Sequence, residues 1–223
     1  MSLFRVTETT KLTGPHQSTP ILKSGIHSSK ADAAMILIHG RGATAQSILT
    51  LADEFDTDKK LTLRAPQASQ NTWYPYSFMA PSDNNEPHLS SALMKIHNTV
   101  QDLKEEGFDE ESIYFLGFSQ GACLISEYIA RHPNRSGGLI ALSGGLIGNG
   151  DVLNSDDYVG NLKDTPIFMG CSDVDPHIPK ERVNASEKVF AELNANVTKK
   201  LYPDMGHTVN GDEIQHINKI LNA

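Results

Sequence analysis

The sequence predicts an α/β protein in which a mainly parallel central sheet is covered by helices on both faces. From residue 33 onward, short continuous apolar runs alternate with longer segments of helical periodicity. Strands that are apolar on both faces, each followed by a helix, are typical of a parallel sheet buried between two helical layers. The predicted strands are Ala33 to Ile38, Leu61 to Leu63, Ile113 to Leu116, Leu139 to Leu142, Ile167 to Met169 and Val197 to Tyr202. The predicted helices are Ala45 to Phe55, His88 to Glu106, Gly121 to His132, Lys180 to Asn194 and Asp212 to Leu221.

The residues before position 33 follow a different pattern. Two short alternating segments, Leu3 to Glu8 and Ile21 to Ile26, are separated by turn signals at Gly14-Pro15 and Pro20. This pattern predicts an antiparallel hairpin at one edge of the sheet. The chain has 223 residues, which suits a single domain, residues 1–223, with a sizeable core.

The charge balance disfavours some partners. The 19 Lys and Arg residues stand against 27 Asp and Glu residues, and the resulting net charge of −8 repels nucleic-acid phosphates and anionic membrane surfaces. We therefore expect no nucleic-acid partner. No stretch approaches the ~20 apolar residues of a membrane span, and the first residues lack the apolar core of a signal peptide.

The cysteine usage points to a reduced compartment. Cys123 and Cys171 lie in apolar segments and form neither a Cys-x-x-Cys motif nor a zinc-ligand pattern. We expect both side chains to pack in the core of a cytoplasmic protein. The sequence also lacks a phosphate-cradling glycine loop after a strand, so no metal and no cofactor is expected.

A candidate nucleophile lies at the junction of a predicted strand and a predicted helix. The pentapeptide Gly117-Phe118-Ser119-Gln120-Gly121 follows the apolar run Ile113 to Leu116 and precedes the helical run Ala122 to Arg131. A Gly-x-Ser-x-Gly motif in this context is typical of the nucleophile elbow of an α/β-hydrolase. The two glycines are needed because side chains there would collide, and the turn holds Ser119 in a strained, exposed conformation.

A serine hydroxyl needs a base to accept its proton, and that base needs an acid to fix its tautomer. In this fold the acid and then the histidine follow the serine along the chain. We predict His207 as the base, because it lies between the last predicted strand and the last predicted helix. His132 and His216 fall on helices, and His177 is expected at the rim of the site.

The acid is expected after the strand that ends at Met169, where Cys171-Ser-Asp-Val-Asp-Pro-His-Ile-Pro contains two aspartates. Asp175 heads a proline-framed turn that would fix its carboxylate toward His207, and we predict it as the acid. Asp173 is the alternative, and a turn-capping role is its other interpretation.

Two backbone N–H groups are expected to bind the oxyanion formed during attack. One belongs to Gln120, the residue after the nucleophile, and it benefits from the positive end of the helix dipole. The other is assigned to Arg41 in the loop His39-Gly40-Arg41-Gly42, for which a plain glycine-rich turn is the alternative.

Residues 66–87 fit neither a helix nor a short connection, and long loops of this kind usually carry function. Their aromatic content argues against disorder. We predict that the loop walls or covers an apolar substrate pocket, the alternative being a loop packed over the core. The predicted pocket residues are Trp73, Tyr74, Phe78 and Met79, together with Tyr76.

Taken together, these motifs resemble the phospholipase/carboxylesterase family of α/β-hydrolases, which includes acyl-protein thioesterases. The resemblance runs from about Ala33 to the C-terminus and rests on His39-Gly40-Arg41-Gly42, Gly117-Phe118-Ser119-Gln120-Gly121, Leu142-Ser143-Gly144-Gly145, Asp175-Pro-His-Ile-Pro and Gly206-His207. It implies a cytosolic, cofactor-free serine esterase acting on small carboxylic esters, lysophospholipids or acyl thioesters. It also implies Ser119 as nucleophile, Asp175 and His207 as its partners, and the N–H groups of Arg41 and Gln120 as the oxyanion hole. A homodimer is compatible with the resemblance.

Three features depart from the thioesterase pattern. Arg41 stands where thioesterases usually have leucine, the acid loop is longer, and the segment from Asn71 to Pro81 is closer to bacterial esterases. The Arg41 side chain is a candidate contact for an anionic part of the substrate. The sequence disfavours two other functions. Dienelactone-type lactone hydrolases usually carry a cysteine nucleophile where this chain has Ser119, and silent binding modules usually lack a triad member.

Overall fold

The computed structural model describes residues 14–150 and 153–223. Its seven strands are β1 (Ile21–Gly25), β2 (Ala33–Ile38), β3 (Leu61–Pro66), β4 (Ile113–Phe118), β5 (Gly138–Leu142), β6 (Pro166–Ser172) and β7 (Asn196–Tyr202). Its α-helices are α1 (Ala45–Leu49), α2 (His88–Glu105), α3 (Gln120–Arg131), α4 (Lys180–Glu192) and α5 (Gly211–Leu221). The segment Leu3 to Glu8, predicted as part of the edge hairpin, lies outside the described residues.

All seven strands belong to one sheet, in the order β1-β3-β2-β4-β5-β6-β7. Strands β2 to β7 are parallel to one another, and β1 pairs antiparallel with β3 at the edge. The predicted α/β-hydrolase fold, with its mainly parallel sheet and antiparallel edge, is therefore confirmed. The strand order reverses direction between β2 and β4. The loops that follow the carboxyl ends of these central strands therefore border a crevice where a ligand can bind.

Helices cover both faces of the sheet, as the continuous apolar strands predict. Along β2, Ile36 and Ile38 belong to the core shared with α2, α3 and α4. The alternate residues Met35 and Leu37 belong to the core shared with α1 and α5. All six residues of β2 are buried because each face of the strand meets a helical layer.

The predicted helix from Ala45 to Phe55 is shorter than the sequence pattern suggests. It consists of α1 and a following 3₁₀ helix at Thr50–Glu54. The Thr50 hydroxyl donates to the carbonyl of Ser47 at 2.8 Å and competes with the backbone N–H that would continue the α-helix. The apolar pattern predicted the position of this helix correctly, but its second half is a 3₁₀ helix.

The turn between β4 and α3 brings three backbone segments unusually close together. A Cβ atom added at Gly121 would lie 2.6 Å from the carbonyl oxygen of His39 and closer still to that of Ile38. A Cβ atom added at Gly117 would overlap the backbone of Gly121. The glycines of the pentapeptide thus allow α3 to pack directly on the ends of β2 and β4, as the sequence predicts.

The buried carboxyl group of Glu213 lies between α5 and the sheet. Asn210 and Glu213 form a reciprocal capping box at the start of α5, with the Asn210 N–H donating to Glu213 Oε2 at 2.9 Å. Glu213 is fully buried, and its carboxyl group lies against the backbone of Gly170 on β6. Burial raises the pKa of Glu213 to about 7, and the nearby Asp212 adds to the increase.

Substituting Gly121→Ala is expected to destabilise the fold by about 3 kcal/mol or more, because the new methyl group meets the backbone carbonyl groups of Ile38 and His39 at the end of β2. Chemical denaturation of the purified variant measures this loss. Gly211→Ala is the matched control, since Gly211 is the first residue of α5 and has open space around it. Equal stability of the two variants would contradict the steric account.

Substituting Glu213→Gln is expected to change how stability depends on pH. Between pH 4.5 and 7 the unfolded chain releases a proton that native Glu213 retains, so the wild type loses stability as the pH rises through this window. The shift corresponds to about 3 kcal/mol at most. The glutamine variant lacks this loss, so its stability relative to wild type should increase from pH 4.5 to pH 8.

Urea denaturation across this pH range gives the difference between the two proteins. Buried His16, whose pKa is lowered to about 4 mainly by burial, has the opposite slope, but it is common to both proteins and cancels. Glu181→Gln, at an exposed position in the first turn of α4, is the matched control. A difference between Glu213→Gln and wild type that stays constant with pH would contradict the assignment.

Candidate active site

Ser119 stands at the sharp turn between β4 and α3. Its backbone has φ 56° and ψ −122°, a conformation that is strained for a residue with a side chain. The Ser119 N–H donates to the carbonyl of Leu142 at the end of β5, 2.9 Å away. The turn therefore fixes the serine at the carboxyl ends of the central strands, with its side chain only partly buried.

Three side chains from distant parts of the chain form a continuous hydrogen-bonded row. His207 Nε2 lies 2.9 Å from Ser119 Oγ, and His207 Nδ1 lies 2.8 Å from Asp175 Oδ2. His207 comes from the loop between β7 and α5, and Asp175 from the loop after β6. The side chain of His207 is 19% exposed, whereas that of Asp175 is fully buried. The structure thus brings together the three residues that the sequence analysis singled out.

Asp175 is held as a carboxylate. Burial alone would raise its pKa, but the hydrogen bonds and charge of His207, with the N–H groups of His177 and Ile178, lower the pKa below its usual value. Both N–H groups donate to Asp175 Oδ1, at 2.8 and 3.0 Å. One carboxylate oxygen is therefore fixed by the turn, and the other is directed at His207.

Asp173, the alternative acid, lies elsewhere. Its N–H donates to the carbonyl of Tyr202, and its Oδ1 accepts from the N–H of Asp204, both at 3.0 Å. These bonds join the loop after β6 to the turn after β7. Asp173 thus occupies the position of a turn-capping residue and makes no bond to His207 among those of the described residues.

The imidazole of His207 is flanked by two rings. The centroids of the Phe118 and His177 rings each lie 4.9 Å from it, and His177 meets it edge-on. His177 therefore lies at the rim of the site. The other two histidines considered from sequence pack against aromatic rings elsewhere, His132 on Tyr128 and His216 on Phe168.

The loop from His39 to Gly42 passes directly beside the serine. A Cβ atom added at Gly40 would lie 3.3 Å from Ser119 Cβ. Within residues 14–150 and 153–223, the backbone N–H groups of Arg41 and Gln120 have no hydrogen-bond acceptor. Gln120 is the first residue of α3, so its N–H also lies at the positive end of that helix. Both groups are available for an oxygen atom bound beside Ser119.

A cavity of about 480 Å³ opens at Ser119 and His207. Tyr74, Phe78, Cys123 and Ile178 form its buried, largely apolar floor, and Tyr76 and His177 lie at its mouth. Burial raises the pKa of the Cys123 thiol to about 12, so this side chain remains neutral. The thiol of Cys171 lies near Asp175 but outside the lining of the cavity.

The five predicted pocket residues divide into two groups. Tyr74, Tyr76 and Phe78 line the cavity, whereas Trp73 and Met79 do not. Met79 packs against the core, and fully buried Trp73 donates from Nε1 to the carbonyl of His39 at 2.9 Å. The adjacent residues Tyr74 and Trp73 thus have different roles: Tyr74 lines the cavity, and Trp73 packs behind it.

Sequence reasoning missed two buried histidines that hold Trp73. The rings of His16 and His39 lie 5.3 and 5.1 Å from its indole. His39 Nε2 accepts from the N–H of Ala68, and His16 Nδ1 accepts from that of Ser69. Burial lowers the pKa of both imidazoles, so they are neutral. In each imidazole the nitrogen that accepts an N–H fixes the tautomer. The sequence does not show these bonds, so it could not predict this role.

Sequence reasoning also missed a polar layer behind the cavity floor. Glu127 on α3 is fully buried and accepts from the N–H of Ile147 and the hydroxyl of Tyr158. Buried Arg182 on α4 donates to the carbonyl of Leu146 at 2.8 Å, and its guanidinium lies 5.8 Å from the centre of the Phe78 ring. The one available signal was a glutamate among the apolar residues of α3.

Within the described part of the chain, no helix is both long and apolar enough to cross a membrane. The same residues contain no group of three or more His, Cys, Asp or Glu side chains that could hold a metal ion.

Comparison with known proteins places these features in a family. The sequence profile of the Phospholipase/Carboxylesterase family matches residues 25–223. A probable carboxylesterase, SOBER1-like, from Arabidopsis thaliana is 26% identical over 205 residues, which cover 85% of this chain and 78% of that protein. Acyl-protein thioesterase 1 from Kluyveromyces lactis is 33% identical over 135 residues, covering 60% of this chain and 59% of that protein.

A solved structure agrees with the fold over nearly its whole length. The crystal structure of a phospholipase/carboxylesterase from Dyadobacter fermentans is 43% identical and superposes with a TM-score of 0.89, covering 94% of this chain and 99% of that one. The resemblance predicted from the motifs is therefore confirmed. Because the family profile matches almost all of the chain beyond its first strand, this protein belongs to the phospholipase/carboxylesterase family of hydrolases.

Proposed function

We propose that the protein is a serine esterase that cleaves carboxylic esters through an acyl-enzyme intermediate, with Ser119, His207 and Asp175 as its catalytic triad. The observation that carries this proposal is the row of hydrogen bonds from Ser119 Oγ through His207 to Asp175. A nucleophile, a base within bonding distance and a group that orients the base are the components that acyl transfer by serine requires.

In the first step Ser119 Oγ attacks the carbonyl carbon of the ester, and His207 Nε2 accepts the serine proton. Asp175 fixes the tautomer in which Nδ1 carries hydrogen, and its negative charge stabilises the imidazolium that forms. The lowered pKa of Asp175 supports this role, because the carboxylate remains ionised while His207 is charged.

Attack converts the carbonyl oxygen into an oxyanion, which needs donors that are already in place. The N–H groups of Arg41 and Gln120 are assigned to this oxyanion hole. They lie on the two segments that border Ser119, and no acceptor in the described part of the chain occupies them.

Collapse of the tetrahedral intermediate breaks the bond to the leaving alcohol, which receives its proton from His207. A water molecule then donates a proton to His207 Nε2 and attacks the acyl-enzyme. A second collapse releases the carboxylic acid and returns the proton to Ser119. The same imidazole thus serves as base and acid in both halves of the reaction.

The cavity beside Ser119 is the proposed site for the acyl group. Its floor offers apolar contacts from Tyr74, Phe78 and Ile178, and the exposed Arg41 belongs to the lining outside that floor. The curated relatives are named carboxylesterase and acyl-protein thioesterase, so oxygen esters and thioesters of fatty acids are both candidate substrates. Lysophospholipids share the same acyl ester bond. Measuring kcat/KM for an oxygen ester, a thioester and a lysophospholipid that carry the same acyl chain would rank these three substrate classes.

Substituting Ser119→Ala is expected to lower kcat for a nitrophenyl ester by about 10⁴-fold or more, because the nucleophile is lost. A fluorophosphonate probe should label the wild type at Ser119 and leave the variant unlabelled. A wild-type protein that resists the probe and hydrolyses no ester would instead be a binding module with a hydrolase fold.

Substituting Asp175→Asn is expected to lower kcat by about 10³–10⁴-fold, because the base loses its tautomer and its charge partner. Asp173→Asn is the matched control, with a change of about twofold or less, since an amide oxygen can still accept the N–H of Asp204. Steady-state kinetics on one ester compares the two variants. Equal losses of kcat in the two variants would contradict the assignment of Asp175 as the acid of the triad.

The cavity is expected to make the enzyme selective for acyl-chain length. Each buried CH₂ group contributes about 0.8 kcal/mol, or roughly fourfold in kcat/KM, until the floor is reached. Nitrophenyl esters from acetate to decanoate should therefore give a rising and then falling profile. A flat profile would exclude this cavity as the acyl site.

A further inference from the structure

The guanidinium of Arg41 is bound to the backbone of the loop that walls the cavity. Its Nη1 donates to the carbonyl of Pro75, and its Nη2 donates to the carbonyls of Tyr74 and Tyr76, each at 2.9 Å. Three successive carbonyl groups therefore converge on one side chain. A guanidinium suits this arrangement because it presents several N–H donors in one rigid plane.

The side chain of Gln120 holds the same loop from the opposite side. Its Nε2 donates to the carbonyl of Tyr74 at 2.8 Å, and its Oε1 accepts from the N–H of Trp73 at 2.9 Å. The carbonyl of Tyr74 thus accepts from both Arg41 and Gln120. These are the two residues whose backbone N–H groups are assigned to the oxyanion hole.

Further bonds join the loop to Asn85 and to Gly42. Asn85 accepts from the N–H of Tyr76 at 2.8 Å and donates to the carbonyl of Ser77 at 3.0 Å. Gly42, next to Arg41, donates from its N–H to the carbonyl of Asn71 at 2.7 Å. We call residues 73–78 the wall segment, because Tyr74 and Phe78 in this segment line the cavity.

We propose that Arg41 is a positioning residue that fixes the wall segment and thereby sets acyl-chain selectivity, and that it joins this wall to the oxyanion hole through the Tyr74 carbonyl. The inference rests on the proposed esterase function. The donors of the guanidinium face backbone carbonyls, so a contact with an anionic substrate group is not needed to account for this arginine.

This inference connects two departures from the thioesterase pattern. The arginine at position 41 and the altered segment from Asn71 to Pro81 occur in different parts of the sequence, yet they contact each other directly. A leucine at position 41 would leave the oxyanion N–H in place but could donate to none of the three carbonyls.

The test uses Arg41→Met and Arg41→Lys in the full chain. We measure kcat and KM for octanoate and acetate nitrophenyl esters, and backbone hydrogen exchange in residues 73–78. Both variants should lower kcat/KM for the octanoate ester at least about tenfold more than for the acetate ester, because the longer acyl chain contacts the wall segment. This difference should appear as an increase in KM for octanoate. Exchange at Trp73 and Tyr76 should become faster. Lysine should rescue only part of the effect, since it lacks the planar donors.

Arg135→Met is the matched control, because that guanidinium also donates to a backbone carbonyl, that of Lys163 at 2.9 Å, but lies outside the cavity. It should keep the wild-type octanoate-to-acetate ratio and wild-type exchange. Thermal unfolding of all variants detects a general loss of structure.

Equal losses on both esters would overturn the selectivity role of Arg41. Unchanged exchange in residues 73–78 would overturn its positioning role, whatever the kinetics. A wild-type protein that hydrolyses no ester would overturn the proposed function separately. Exchange alone would then decide whether Arg41 fixes the wall segment, with unchanged rates against it and faster rates in its favour.

Discussion

The site depends on one steric constraint, the close approach of α3 to the ends of β2 and β4. Without side chains at positions 117 and 121, the helix backbone packs on the carbonyl groups of Ile38 and His39. This contact places the loop after β2 beside the turn after β4. Ser119 and both candidate oxyanion donors are therefore neighbours as a consequence of backbone packing, before any side chain of the site makes a bond.

Most of the fold was predictable from the sequence, because its central strands are apolar on both faces and its helices are amphipathic. The range Ala33–Ile38 was predicted to the residue. The ends of elements were less predictable. β3 continues through Arg64 to Pro66, since buried Arg64 satisfies its guanidinium with Thr62, the Leu63 carbonyl and Glu106. A charged residue in a strand carries no sequence signal of such partners.

The candidate site was predictable where the chain order and the turn motif constrain it. Ser119 and His207 follow from that order, and the preference for Asp175 follows from the prolines around it. The sequence could not show which of two aspartates, two residues apart, would lie at His207, because their separation depends on bonds to Tyr202 and Asp204. Nor could it show which aromatic residues of the long loop line the cavity, since Trp73 and Tyr74 are adjacent, yet Tyr74 lines the cavity and Trp73 is buried against His39.

The shared carbonyl of Tyr74 has an evolutionary consequence. The segments around Arg41 and Tyr74, 33 positions apart in sequence, meet at this oxygen atom, which also accepts from the side chain of Gln120. A lineage that exchanged one segment alone would break the contact, so the two are expected to diversify as a pair. A homologous enzyme with an aliphatic residue at the position of Arg41 needs other bonds to hold the corresponding loop. Transplanting the loop of this protein into such an enzyme therefore requires transferring the arginine as well.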